Sequence, residues 1–411
     1  MVAIMLVAQH AEEAVFLWEQ RNVGIHASAY RLSDLARLDG RVEAHIDGLR
    51  IAGEEGWRLC REGLAEKGAG EVFTAGVLAF ESGDEGRIKE VLEVGTKTAE
   101  LVRGLVSALG WISWAQAEGQ VKNLLASKSA VLRRVGIAAS AINRQDPGRP
   151  MEYAVSDADL PLRARALRAV GELGRTDLRP YLERNWKAED DECRIWAAWS
   201  SILFRDRYAI PVLRSFVSPK SRRREQALTL ALRFMELESA HAWQRELAQK
   251  PESKRLAVIG AGAIGDPALV PWLIEQMALP ALARVAGESF SMITGVDLAF
   301  QDLEGKKPEG FESGPNDDPN DENVEMDPDD NLPWPAPELI SKWWAQHQSE
   351  FTAGTRHLLG KPITEEWLQQ VLRIGRQRQR AAAALELAML NPGQPLFEVR
   401  APGFRQKELL K

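Results

Sequence analysis

Arg163-Ala164-Arg165-Ala166-Leu167-Arg168-Ala169-Val170-Gly171-Glu172-Leu173-Gly174 reads as a helix whose packing positions are small and whose end carries a glycine suited to positive φ. Segments of this kind return along the chain. Arg103, Arg133, Arg163, Arg194, Arg224, Arg255 and Arg284 stand 30, 30, 31, 30, 31 and 29 residues apart, each near the start of an Ala/Leu/Val-rich run. Three of the periods share a second landmark: Arg179-Pro180-Tyr181-Leu182, Ile210-Pro211-Val212-Leu213 and Val270-Pro271-Trp272-Leu273, with prolines 31 and 60 residues apart. One register held from about 101 to 294 marks a solenoid, because a single helix pair cannot bury its apolar face alone and stacked neighbours can. The second helix of a pair is expected to start near Asp177, Arg207 or Asp266-Pro267, where a proline removes only an amide that had no partner. Gly174 and Gly265 are expected to close first helices at positive φ. No alternating strand pattern of useful length is present. The prediction is an all-α, right-handed superhelix of stacked antiparallel helix pairs.

Outward from this array, residues 1–70 read as an N-terminal helical cap, with Leu35, Leu38, Val42, Ile46 and Leu49 on one buried face and Ser33 as a cap-like serine. The array is assigned to 71–300, beginning with a degenerate pair at 71–80 and 86–92. Residues 301–336 are rich in proline, glycine and acid and read as a flexible loop. Helices are expected again over 337–411, at 337–344, at 364–372 behind a Thr364 cap, and at 378–390, stopped by Asn391-Pro392-Gly393. The stretch 395–399 reads as a short extended piece.

The 411 residues are 45% apolar and 27% charged, which suits a globular chain with a large core. Cys60 and Cys193 lie far apart without a CxxC partner, so neither zinc nor a disulfide framework is indicated, and a reducing compartment is the simple reading. The apolar start at Met1 has no basic residues and is followed by Glu12 and Glu13, so it reads as a mature cytoplasmic start. No run reaches the roughly 18 to 20 apolar residues of a membrane span. The net charge is −7, yet 302–330 holds twelve Asp/Glu against Lys306 and Lys307, so the acidity is local.

Gly260-Ala261-Gly262-Ala263-Ile264-Gly265 matches the dinucleotide fingerprint, but Asp266-Pro267 follows it in register with the other repeats. Packing glycines are therefore the reading preferred to a cofactor site. His10, His26, His45, His241, His347 and His357 form no metal motif or triad, and no cofactor or catalytic residue is indicated. Two basic clusters, Lys220 with Arg222, Arg223 and Arg224, and Arg373, Arg376, Arg378 and Arg380, suggest phosphate contacts, the second with Arg373, Arg376 and Arg380 on one helical face. Solvated faces are the competing reading, and the acidic balance disfavours nucleic acid. The acidic segment admits three readings: calcium oxygens without an EF-hand pattern, a phosphate-like surface for a basic protein, and a solubilising linker.

Three stretches carry a family likeness: Leu35-Ala36-Arg37-Leu38-Asp39-Gly40-Arg41-Val42-Glu43-Ala44-His45-Ile46-Asp47-Gly48-Leu49; Gly287-Glu288-Ser289-Phe290-Ser291-Met292-Ile293-Thr294-Gly295; and Leu358-Leu359-Gly360-Lys361-Pro362-Ile363-Thr364 with Arg376-Gln377-Arg378-Gln379-Arg380-Ala381-Ala382. They resemble an uncharacterised family of proteobacterial HEAT-like repeat proteins, over nearly the whole chain. The repeats are also similar to the short HEAT-like units of phycobilisome lyases, a likeness of fold only. The first resemblance implies genes set beside type VI secretion components and their toxic effectors. It implies a non-enzymatic cytoplasmic immunity protein that occludes a toxin, with a nuclease as the toxin and no small-molecule substrate; the alternative is an adaptor or chaperone that loads an effector. A nuclease cleft is basic, so Asp317, Asp318, Asp321, Glu322, Asp327, Asp329 and Asp330 are the expected partner-binding carboxylates. Trp334, Trp343 and Trp344 are the candidate apolar anchors, with a place in the C-terminal core as the competing reading for the tryptophan pair.

Overall fold

The computed structural model describes residues 2–315 and 325–411, and the fold is an all-α solenoid of HEAT-like helix pairs with 22 α-helices among the described residues. Paired strands there are limited to His357–Leu358 against Lys361–Pro362, a two-residue antiparallel ribbon. Contacts gather into two compact units, Met1–Phe204 with Asn391–Lys411, and Arg205–Leu390. These units follow packing in space, whereas the divisions drawn on the sequence follow composition, and the two sets of boundaries differ.

In the first unit, helix Leu32–Ile51 buries Leu35, Leu38, Val42, Ile46 and Leu49, the face expected from their spacing. Ser33 is not its cap. The helix starts one residue earlier, and the Asp34 carboxylate accepts the Arg31 amide instead. Helices Ala69–Ser82 and Glu85–Gly95 form the degenerate first pair, and Ala99–Trp111 with Trp114–Leu125, Ala130–Ile142 with Arg149–Ala154, and Leu160–Glu172 with Arg179–Asn185 continue the array to Asp191–Leu203. The tail does not form the expected strand at 395–399. It runs as coil, with the Leu396 amide donating to the Glu172 carbonyl, and ends in a helix, Gly403–Leu409, against the N-terminal helices. There the Gly403 amide donates to Asp39 Oδ2 at 2.5 Å, and Arg21 Nε donates to Asp39 Oδ1 at 2.6 Å. A Cβ at Gly403 would lie 2.6 Å from the Ala36 backbone, so this approach requires glycine.

In the second unit, pairs Arg224–Phe234 with Leu237–Ala248 and Lys254–Ile264 with Val270–Met277 lead to Pro280–Thr294, and Pro337–His347, Glu365–Ile374 and Gln377–Leu390 follow the acidic segment. Second helices begin as expected, behind 3-10 turns at Thr176–Leu178, Arg207–Ala209 and Pro267–Leu269, with Pro180, Pro211 and Pro271 in their first turns. Gly174 and Gly265 adopt φ of 69° and 75°.

Packing between first helices uses one device twice. Ser200 Oγ donates to the Leu167 carbonyl at 2.7 Å and Ser289 Oγ to the Val258 carbonyl at 2.9 Å. Each hydroxyl sits over a glycine one turn on, Gly171 or Gly262, where a Cβ would come within 2.5 Å and 3.0 Å of the serine. Gly260 and Gly262 of the fingerprint-like stretch are thus packing positions inside helix Lys254–Ile264, and Gly265 closes that helix at positive φ, as the repeat register predicts.

The recurring arginine has a structural role too. Arg133 donates to the Ser127 and Lys128 carbonyls, Arg163 to Asp157, Arg194 to Ala188 and Arg224 to Pro219. In each case it ties down the loop just ahead of its own helix, satisfying carbonyls that would otherwise lack a protein donor. Arg103 instead lies over the Trp18 ring beside Glu19 and Glu100, and Arg255 and Arg284 depart from this pattern as well.

Candidate functional site

The departure places the acidic segment. Helix Pro280–Thr294 ends at Gly295, φ 75°, and the chain leaves the array. The excursion is closed at its neck, where the Gly305 amide donates to the Trp334 carbonyl at 2.7 Å and the Ala336 amide to the Leu303 carbonyl at 2.9 Å. Trp334 meets Phe311 edge to face at 5.5 Å, and its ring lies 4.5 Å from the Arg284 guanidinium.

Beyond the neck the segment returns to the repeats through two aspartates. Arg255 Nη1 and Nη2 donate to the two oxygens of Asp329 at 2.6 and 2.7 Å, a bidentate pair. Arg284 donates to the Asp329 carbonyl at 3.0 Å and to the Asp327 carboxylate. The Asp329 amide closes a turn onto Asp327 Oδ1 at 2.9 Å. Burial acts to raise the Asp327 carboxyl, but its bonds from Arg284 and the Asp329 amide outweigh this and hold it below the usual range. The Asp329 carboxylate in turn pushes Arg255 up, against its own burial.

The expected cluster of seven partner-binding carboxylates therefore needs correction at two positions. Asp329 is 5% exposed and Asp327 is bound to Arg284, so both are anchors within the chain. Asp330 is exposed. Asp317, Asp318, Asp321 and Glu322 lie outside the described residues. Of the tryptophans, Trp334 packs into the neck as described. Trp343 meets Phe290 edge to face at 5.7 Å and stacks on His347 at 4.3 Å, and Trp344 lies 5.2 Å from Phe351. Both are half-buried and pack within the second unit.

A cavity of about 440 Å³ lies beside the Asp329 anchor, lined among others by Arg255, Val285, Glu288, Met292, Asp329 and Arg378. Its charges are matched. Arg378 Nη1 donates to both oxygens of Glu288 at 2.7 and 2.8 Å, while burial outweighs this arginine and raises the Glu288 carboxyl. Arg233 likewise pairs with Glu386 at 3.3 Å.

The second basic cluster is not one helical face. Gly375, with φ −69° and ψ 163°, separates Glu365–Ile374 from Gln377–Leu390, so Arg373 sits on a different helix from Arg378 and Arg380. Arg376 pairs with Asp297 at 2.6 Å, and Arg380 is 0% exposed with its Nε donating to the Leu372 carbonyl at 2.7 Å. Those side chains are engaged inside the chain. Lys220 and Arg222 of the first cluster are exposed, and Arg224 ties its own loop. His10 and His45 face each other through Nδ1 at 3.1 Å, and His241 meets Asp266 at 2.8 Å; no group of three or more metal-capable side chains occurs among the described residues. Sequence reasoning marked Arg255 and Arg284 only as register positions. Their acid-binding role left no local signal, because their partners lie 74 and 43 residues away.

Among known families, the model of HEAT repeats matches residues 150–233. No curated protein and no solved structure matches the chain. No helix among the described residues is long and apolar enough to cross a membrane.

Proposed function

We propose that this chain is a cytoplasmic immunity protein that binds a type VI secretion toxin of nuclease type and occludes its basic cleft. HEAT-like arrays are protein-binding scaffolds, since each repeat adds surface without a separate core. The observation that carries the finer reading is the anchored acidic segment. A segment tied at its neck and again at Asp327 and Asp329 loses less conformational entropy on binding than a free tail of the same charge, so more of the attraction appears as affinity. Its carboxylates, exposed Asp330 and the acids of 309–325 among them, match a surface built to hold a polyanion. The resemblance to proteins encoded beside type VI effectors supplies the class of partner.

The test is co-purification with the product of the neighbouring gene, followed by association kinetics for a variant with Asp317, Asp318, Asp321, Glu322 and Asp330 replaced by Asn or Gln. Slower association, most marked at low salt, with helical content unchanged, is the expected result. Full-rate binding and full protection from the toxin would move the interface to the repeat surface. Binding without relief of toxicity would favour effector loading over immunity.

A further inference from the structure

The first unit holds a different charge cluster, which the reading above does not use. Helix Leu160–Glu172 supplies Arg165, Arg168 and Glu172, Arg144 follows helix Ala130–Ile142, and the tail supplies Glu398 and Arg400. Glu172 is 1% exposed. Its Oε1 accepts from Arg168 Nε at 2.8 Å and lies 3.7 Å from Arg400 Nη2, and its Oε2 lies 2.9 Å from Arg165 Nη2. Glu398 accepts from Arg400 Nε and Nη2 at 2.7 and 2.9 Å and from Arg144 Nη2 at 3.2 Å. Four guanidiniums thus share two carboxylates, an excess of two positive charges in a largely buried place.

Such an excess is unfavourable unless something offsets it, because like charges repel strongly where water is scarce. Burial is the main influence pushing the Arg168 guanidinium down to about 10, and nearby Arg400 and Arg165 add to it against the pull of Glu172. The free donors point to where an offset would sit. Arg168 uses Nε on Glu172, and Trp196 holds its guanidinium plane at 4.5 Å from the ring centre. The terminal nitrogens of Arg168 and Nη1 of Arg400 have no hydrogen-bond acceptor among the described residues, and the two side chains remain 26% and 37% exposed.

We propose that Arg168 and Arg400 form a binding site for a doubly charged oxyanion of the phosphate class. Planar guanidiniums present parallel N–H pairs that suit phosphate oxygens, and a dianion matches the charge excess where a chloride or a single carboxylate leaves half of it. Glu172 and Glu398 act as struts that keep the two guanidiniums adjacent, and Trp196 fixes the plane of one of them.

Inorganic phosphate titrated into the full chain by calorimetry tests this, with sodium chloride at equal ionic strength as the reference. Saturable binding is expected, weakened at least tenfold by Arg168→Gln when circular dichroism shows that variant folded. Phenylglyoxal footprinting of the unaltered protein gives a reading that needs no variant: phosphate should slow modification of Arg168 and Arg400 about tenfold while leaving exposed Arg222 labelled at the same rate. No saturable heat beyond the chloride reference, binding undiminished in folded Arg168→Gln, or unchanged labelling of both arginines would each overturn the assignment.

Discussion

Replacing Asp329 by Asn tests whether the acidic segment is anchored or merely adjacent. The substitution keeps the size of the side chain and removes its charge, leaving Arg255 with a neutral partner at the same place. Removing one member of a fully buried ion pair costs about 3–5 kcal/mol, chiefly through the charge left behind. Asp329 is 7% exposed at its side chain, but Arg255 is 29% exposed and rehydrates in part, and the Asp329 carbonyl still accepts from Arg284. We therefore expect about 2 kcal/mol, which is roughly a 30-fold rise in local opening of the segment. Because the chain has two compact units, a single global unfolding energy is a poor measure, and hydrogen exchange is the better one. The amides to follow are Asp330, bonded to the Asp327 carbonyl, and Leu332, bonded to the Asp329 carbonyl. Both should exchange about 30-fold faster in Asp329→Asn, and exposed Asp330→Asn should change them by less than about threefold, as for an ordinary surface site. Exchange unaltered by Asp329→Asn would mean that the Arg255 pair contributes no more than a surface ion pair, and the anchor argument would fail.

Two further expectations concern stability. Burial acts to raise the Glu172 carboxyl, but Arg165, Arg168, Arg144 and Arg400 outweigh it and hold it at about 2, and Glu398 is held low in the same way. A folded-state value below the unfolded one, about 4.3, gives stability that is complete above that pH and lost as pH falls toward 2. Urea midpoints of the full chain followed from pH 6 to 2, compared between variants and not converted to a global energy, should show this loss, and Glu172→Gln should flatten the profile within that window; an equally steep profile in the variant would assign the acid sensitivity elsewhere. Gly171→Ala places a Cβ 2.9 Å from the Ser200 Cα and should destabilise by about 1–3 kcal/mol, the reverse of the usual helical glycine substitution. Gly119→Ala, with nothing within 4 Å, should stabilise by about 0.5–1 kcal/mol. Thermal melts of the two variants that shift in the same direction would refute the close-approach account of Gly171.

The repeat register, the prolines in the first turns, the glycine caps and the buried face of helix Leu32–Ile51 were all legible in the sequence. They are so because helix periodicity and capping are set by residues within a few positions, and because each repeat packs mainly on its neighbours. The acidic segment was legible as composition, and its role as a docked excursion was not. Seven arginines stand in one register, yet only Arg255 and Arg284 take carboxylates of 327–329, and nothing local distinguishes them from Arg133 or Arg194. Similarly, the helical face drawn through Arg373, Arg376 and Arg380 fails at one extended glycine, Gly375. The return of the tail to Asp39, across 364 residues, had no sequence sign at all. Pairings of this kind depend on where distant segments meet once the array is built, and charge complementarity between them carries no period. The sequence alone thus determined the stack of helices; the tertiary structure decided which of its equivalent side chains became anchors, struts or open donors.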